Sequence, residues 1–183
     1  PSNVRKVKKG KIIIGYLGRL VPEKGVNLLL QAFAQLDKNQ AALDIAGDGP
    51  ELKYLKTLAI KLGIEKEVKF LGVVDAFKTL STWDIFVNPN TIEHPLEMVN
   101  IEASYMGLPV VCFGNQICPE TVIAGKTGIK VFPKTSEALK EALSSLVVNK
   151  EKRVKLGNNG KNFARQYSFA SQVKTLHLLY QSL

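Results

Sequence analysis

Short apolar runs alternate with amphipathic segments along most of this chain, and that alternation restricts its fold more than any other feature. Lys11 to Leu17 (KIIIGYL) is β-branched and bounded by glycine, the pattern of a buried parallel strand. Val26 to Leu36 follows with apolar residues at helical spacing. Further strands are expected at Ala42 to Ala46, Val68 to Leu71, Asp84 to Asn88, Pro109 to Phe113 and Ile129 to Phe132. Helices fall between them at Glu51 to Leu62, Phe77 to Ser81 and Met98 to Met106. Strands alternating with helices imply right-handed β-α-β crossovers and an α/β fold built on a doubly wound parallel sheet of about six strands. Ligands of such sheets bind beyond the carboxyl ends of the strands.

The last third is purely helical in pattern. Ser136 to Val148 is amphipathic, and Glu151 to Ala164 is basic and interrupted by Gly157 and Gly160. Phe169 to Leu183 closes the chain with Phe169, Val173, Leu176, Leu179 and Tyr180 on one side. That side either packs on its own domain or reaches a partner domain.

At 183 residues and 45% hydrophobic content the chain supports one well-buried core, so residues 1–183 read as a single domain. No apolar run reaches the roughly 20 residues of a membrane helix. The basic N-terminus has no apolar core before Ile12, unlike a secretory signal, and a cytoplasmic protein is expected. With 25 Lys and Arg against 16 Asp and Glu, the formal charge of +9 attracts phosphates, whether of nucleotide sugars, anionic lipid or nucleic acid. The lysines between Arg5 and Lys11, with Lys53, Lys56 and Lys61, lack the aromatic or Arg-rich interleaving of nucleic-acid modules. They read as solvated surface or as a peripheral contact with the inner face of an acidic membrane, with no nucleic-acid partner. Cys112, Cys118, His94 and His177 are too few ligands at metal spacing for a zinc site, and the thiols read as reduced and structural. No D-x-D pair occurs to clamp a divalent ion.

Three stretches can carry chemistry. Gly18-Arg19-Leu20-Val21-Pro22-Glu23-Lys24-Gly25 links a strand end to a helix start, where the helix dipole favours anions and a diphosphate would fit. It is neither the dinucleotide G-x-G-x-x-G nor a P-loop, and Arg19 and Lys24 read equally well as solvated loop residues. Gly47-Asp48-Gly49-Pro50 is a tight turn with Pro50 at a good first helical position, and Asp48 has no expected catalytic role. The run from Thr91 to Glu120 sets Glu102 inside a short helix ahead of the turn and strand Gly107-Leu108-Pro109-Val110-Val111. A carboxylate there can satisfy neighbouring backbone or accept both hydroxyls of a ribose, each charge-assisted bond contributing about 1.5–3 kcal/mol.

The ordered set G-R-L-x-x-x-K-G, G-D-G-P, V-K-F-L-G, I-E-A-x-x-x-G-L-P-V-V and P-E resembles the C-terminal, Rossmann-like domain of the retaining GT-B glycosyltransferases. The resemblance runs from Ile12 to about Phe132 and implies a UDP- or GDP-sugar donor with no other cofactor and no metal. It implies that Arg19 and Lys24 grip the donor diphosphate and stabilise it as leaving group. By the same resemblance Glu102 holds the ribose, and the N–H groups of Met98 and Val99 meet the phosphates. The Phe70, Leu71 and Gly72 stretch matches the segment whose backbone approaches the base. An N-terminal acceptor domain, absent from these residues, would complete the cleft, with residues 168–183 crossing to it.

Two positions depart from the family pattern E-x-F-G. His94 stands where the acid that addresses the sugar is expected, with Glu93 one residue out of register, and Glu97 replaces the glycine. A carboxylate about 5 Å from each phosphate charge opposes it by about 3 kcal/mol at an effective dielectric of 20, so donor binding requires Glu97 to turn away. With Pro95 as first helical residue, Glu97 falls third and can reach back to the cap N–H. Otherwise it selects the sugar or marks a site without activity. The sequence thus points to nucleotide-sugar binding and retaining transfer to a glycan, lipid or small-molecule acceptor. A non-catalytic sugar-nucleotide-binding module and a nicotinamide-dependent enzyme are the alternatives.

Overall fold

The structure is a computed structural model that describes residues 10–92, 97–114 and 121–167. Among these, six parallel strands form one sheet: β1 (Ile12–Leu17), β2 (Ala41–Ala46), β3 (Val68–Gly72), β4 (Ile85–Asn88), β5 (Val110–Phe113) and β6 (Gly128–Val131). Their order is β3-β2-β1-β4-β5-β6. The expected α/β doubly wound, Rossmann-like sheet is therefore present. The helices are α1 (Val26–Ala34), α2 (Leu52–Lys61), α3 (Ala76–Leu80), α4 (Met98–Tyr105), α5 (Ser136–Val148) and α6 (Lys150–Ala164), with 3₁₀ turns at Pro22–Lys24 and Arg165–Tyr167. The segment read as a final helix, Phe169 to Leu183, lies outside the described residues. So does Cys118, while Cys112 is buried in β5.

Alternation within the strands sorts the core into two layers. Ile14 and Tyr16 of β1, Leu43 and Ile45 of β2 and Val87 of β4 face α1, α2 and α5, where Leu29, Phe33, Leu55, Leu139 and Leu143 complete the larger layer. Phe86, Val110 and Cys112 face the other way, toward Leu80, Trp83 and Ala103 on α3, its trailing loop and α4. Helix starts are marked locally. Asp75, Thr135 and Asn149 each accept a bond from the N–H three residues on, opening α3, α5 and α6, and such a cap contributes about 1 kcal/mol.

Two sequence expectations about helices change. Pro50 is not the first helical residue, because Glu51 caps α2 and donates its N–H to the Leu20 carbonyl at 3.0 Å, tying the helix entry to the loop after β1. Gly157 and Gly160 do not interrupt α6. Gly157 lets it lie against the turn after α4, where a Cβ would stand 2.1 Å from the Gly107 carbonyl oxygen, while a Cβ on Gly160 would make ordinary van der Waals contact with Ser104 at 3.4 Å.

Gly15, inside β1, faces the single tryptophan. A Cβ there would fall 1.9 Å from the Trp83 ring, whose Nε1 donates to Asp44 Oδ2 at 3.0 Å. The glycine makes room for an indole that fills the smaller layer and satisfies a half-buried carboxylate. Gly15→Ala should destabilise the fold by about 1–3 kcal/mol through overpacking. Urea unfolding followed by Trp83 emission measures this, and an unchanged midpoint would contradict the packing described.

Candidate functional site

The strand order reverses between β1 and β4. In a doubly wound sheet the crevice at such a reversal, beyond the strand ends, is where ligands sit. The loop leaving β1 runs from Gly18 to Gly25 into α1, while Pro89 to Ile92 follow β4 and Glu97 stands immediately before α4.

Backbone bonds hold the first loop from both sides. Gly18 donates to the Ala46 carbonyl at 3.1 Å and Leu20 to that of Asp48 at 2.9 Å. Gly47 has φ 127° and a Cβ position 1.8 Å from the Gly18 carbonyl oxygen, so only glycine fits. The Gly47-Asp48-Gly49-Pro50 turn is thus a backbone brace, and the Asp48 carboxylate accepts from the Gly49 N–H at 2.7 Å. Across the crevice, Thr91 donates its N–H and its hydroxyl to the Glu23 carbonyl at 2.8 and 2.9 Å. Gly25 adopts φ 63° with its Cβ position 2.1 Å from the Pro89 carbonyl oxygen. Lys134 adds a bond to the Thr91 carbonyl at 2.8 Å.

Lys24 and Glu97 meet inside this frame. Lys24 Nζ lies 3.6 Å from Glu97 Oε1, with side-chain exposures of 17% and 12%. The same oxygen accepts from Asn90 Nδ2 at 2.6 Å. The expectation that Glu97 is the third helical residue and caps its own helix is overturned. Helix α4 starts at Met98, Glu97 is its cap residue without a side-chain cap bond, and its carboxylate is engaged by Asn90 and Lys24 instead. Met98 and Val99 are the first two helical residues, whose N–H groups have no partner within a helix. His94, with Glu93 and Pro95, lies outside the described residues.

Arg19 is exposed, and its carbonyl accepts the Tyr16 hydroxyl at 2.7 Å. Tyr16 is almost wholly buried. Burial raises its pKa far above the usual phenol range, and the charge of Glu97 adds to that, so it stays a donor. Glu102 lies one turn past Met98 on the same face of α4. It is half-buried, burial raises its carboxyl pKa, and its side chain meets no donor among the described residues. Phe70, Leu71 and Gly72 end β3. The register shifts here, pairing Phe70 with Ile45 and Gly72 with Ala46, and the Gly72 carbonyl accepts from Gly47 at 2.7 Å. That bond joins the β3 end to the brace behind the first loop.

The structure therefore brings Lys24, Glu97 and the start of α4 together, and sets Glu102 and the Phe70–Gly72 edge on elements tied to the same frame. Sequence reasoning missed Asn90 and Tyr16, although Asn90 lies two residues past a strand's carboxyl end and Tyr16 is the one polar tip in an apolar strand. It also missed the buried chain in which Asn88 donates to Asn100 at 3.1 Å and Asn100 to Thr121 at 3.2 Å. These bonds lock α4 to β4 and to the segment between β5 and β6.

Comparison with known proteins agrees with this layout. Residues 2–163 match the family described as glycosyl transferases group 1. The chain is 32% identical over 183 residues to a D-inositol 3-phosphate glycosyltransferase of Corynebacterium jeikeium, covering 93% of this chain and 43% of that protein. It is 31% identical over 163 residues to a GDP-mannose-dependent alpha-(1-6)-phosphatidylinositol monomannoside mannosyltransferase of Mycolicibacterium smegmatis, covering 83% of this chain and 43% of that one. A crystal structure of Anabaena Alr3699/HepE in complex with UDP and glucose superposes with a TM-score of 0.84 at 25% identity, over 95% of this chain and 49% of that one. The chain thus spans less than half the length of each of these relatives. With this sheet order, this crevice and a match over most of its length, the chain belongs to the glycosyl transferases group 1 family of GT-B fold.

Proposed function

We propose that this chain is the donor-binding half of a retaining, metal-independent glycosyltransferase that holds a UDP- or GDP-sugar at the β1–β4 reversal. The observation that carries the reading is the meeting of a cation, Lys24, with the N-terminus of α4 at that crevice. A diphosphate there would find a fixed positive charge together with N–H groups that have no partner within their helix. The similarity to a GDP-mannose-dependent enzyme and to a protein crystallised with UDP supports a nucleotide-sugar class without choosing the base. The acceptor, a glycan, lipid or small molecule, would enter from an N-terminal domain, so these residues alone would bind donor without transferring sugar.

In this reading Lys24 and Arg19 stabilise the leaving diphosphate, and one such preorganised group typically contributes about 2.7–4 kcal/mol to the barrier reduction. Tyr16 anchors the Arg19 backbone, Glu102 accepts the ribose hydroxyls, and the Phe70–Gly72 edge lines the base. The leaving diphosphate, rather than a protein side chain, takes the acceptor proton.

Lys24→Ala and Arg19→Ala should each weaken nucleoside-diphosphate ligands far more than the free nucleoside when both are titrated by calorimetry. Equal losses for the two ligands would remove the diphosphate role.

Glu102→Gln should cost about 1–3 kcal/mol of nucleotide affinity, while a 2′,3′-dideoxy nucleotide is insensitive to the change. Stability should move the other way. A carboxyl pKa raised on folding lowers stability as pH rises from its unfolded to its folded value, so the Gln variant should match or exceed the parent at pH 7 and lose that margin in acid. Equal loss for both nucleotides, with lower stability at pH 7, would make Glu102 a structural residue.

A further inference from the structure

The pairing of Lys24 with Glu97 is loose for two side chains so little exposed. At 3.6 Å the ammonium and carboxylate are in ionic contact without a short hydrogen bond, whereas Asn90 holds the same oxygen at 2.6 Å. Glu97 is thus anchored by a neutral donor, and Lys24 is held to it by charge alone. Among the described residues Lys24 is the cation in contact with this carboxylate, and the neutral, buried Tyr16 hydroxyl feels the charges of Glu97, Arg19 and Glu23. Any anion that takes Lys24 must overcome a resident one.

We propose that Glu97 is an intramolecular counter-ion which competes with the diphosphate for Lys24, and so sets the preference of this site for a sugar-linked diphosphate over the free diphosphate product. The inference rests on the proposed reading that the diphosphate lies against Lys24 and the start of α4. Its physical basis is the charge of the terminal phosphate. Linked to a sugar, that phosphate carries a single negative charge, but once free it carries about −1.5 to −2 at pH 7. A fixed carboxylate nearby penalises the free form more. Glu97 therefore weakens product retention more than donor binding, and it keeps the empty site neutral so that a cation so little exposed is never left alone.

The test is calorimetry on the 183-residue chain carrying Glu97→Gln, Lys24→Ala or both, with UDP, GDP, their glucose and mannose esters, uridine and guanosine. Gln keeps the acceptor for Asn90, so the loop should hold. Glu97→Gln is expected to tighten the preferred free diphosphate by about tenfold, the sugar ester by less and the nucleoside not at all. In the Lys24→Ala background the gain from competition for Lys24 should vanish, leaving only the relief of carboxylate–phosphate repulsion. Without ligand the variant should melt about 2–4 °C lower, because Lys24 loses its counter-charge, and the diphosphate should raise its melting temperature more than that of the parent. If Lys24→Ala weakens the diphosphate but Glu97→Gln leaves it unchanged or weaker, the counter-ion role is overturned and the binding site stands. If Lys24→Ala changes nothing, the site and the counter-ion role fall together.

Discussion

The backbone contacts between the loops that leave β1 and β4 are the constraint on which the crevice depends. Thr91 reaches the Glu23 carbonyl twice, and Gly25 lies against the Pro89 carbonyl with no room for a side chain. Behind them the Gly47 turn braces Gly18 just as closely. These contacts need no particular ligand. They convert a topological reversal in the sheet into a braced notch, with Lys24 and Asn90 carried on the segments so braced.

Electrostatics within the notch follow from that bracing. Lys24 is mostly withdrawn from water, and a lone cation in such a place is costly unless a partner accompanies it. Glu97 supplies the partner from the opposite loop, and Asn90 fixes Glu97 in turn. The half-buried Glu102, farther along α4, has no comparable partner among the described residues. The two acids therefore differ in kind. One is committed to an internal ion pair, and the other presents acceptor capacity to whatever enters.

Much of this was legible in the sequence, and the reasons are local. β-branched runs bounded by glycine gave the strands to within a residue or two, because a buried parallel strand is continuous in its apolar character. The place of Lys24 in a glycine-bounded loop before a helix and of Glu102 inside a short helix was legible from glycine and from the change of period, whereas their proposed ligand roles, like that of Met98, came from the family resemblance alone. The fate of Glu97 was not legible. Its position in the helix depended on whether Pro95 or Met98 begins α4, and helix boundaries are the least determinate part of any pattern. Its partner Asn90 sits in a different local unit, and hydrogen bonds between loops leave no periodicity to read. Gly157 and Gly160 misled for a similar reason: glycine lowers helix propensity, but tertiary contact with α4 outweighs that cost.

The most direct test of the central claim is residue-resolved. Amide spectra of the ¹⁵N-labelled chain, titrated with UDP and with GDP, should show the largest shifts at Met98, Val99, Lys24 and the Phe70–Gly72 edge for at least one nucleotide. The distant β6 and α5 should stay still. Saturable shifts confined to any other face of the sheet, or none at millimolar nucleotide, would contradict a diphosphate site at the β1–β4 reversal.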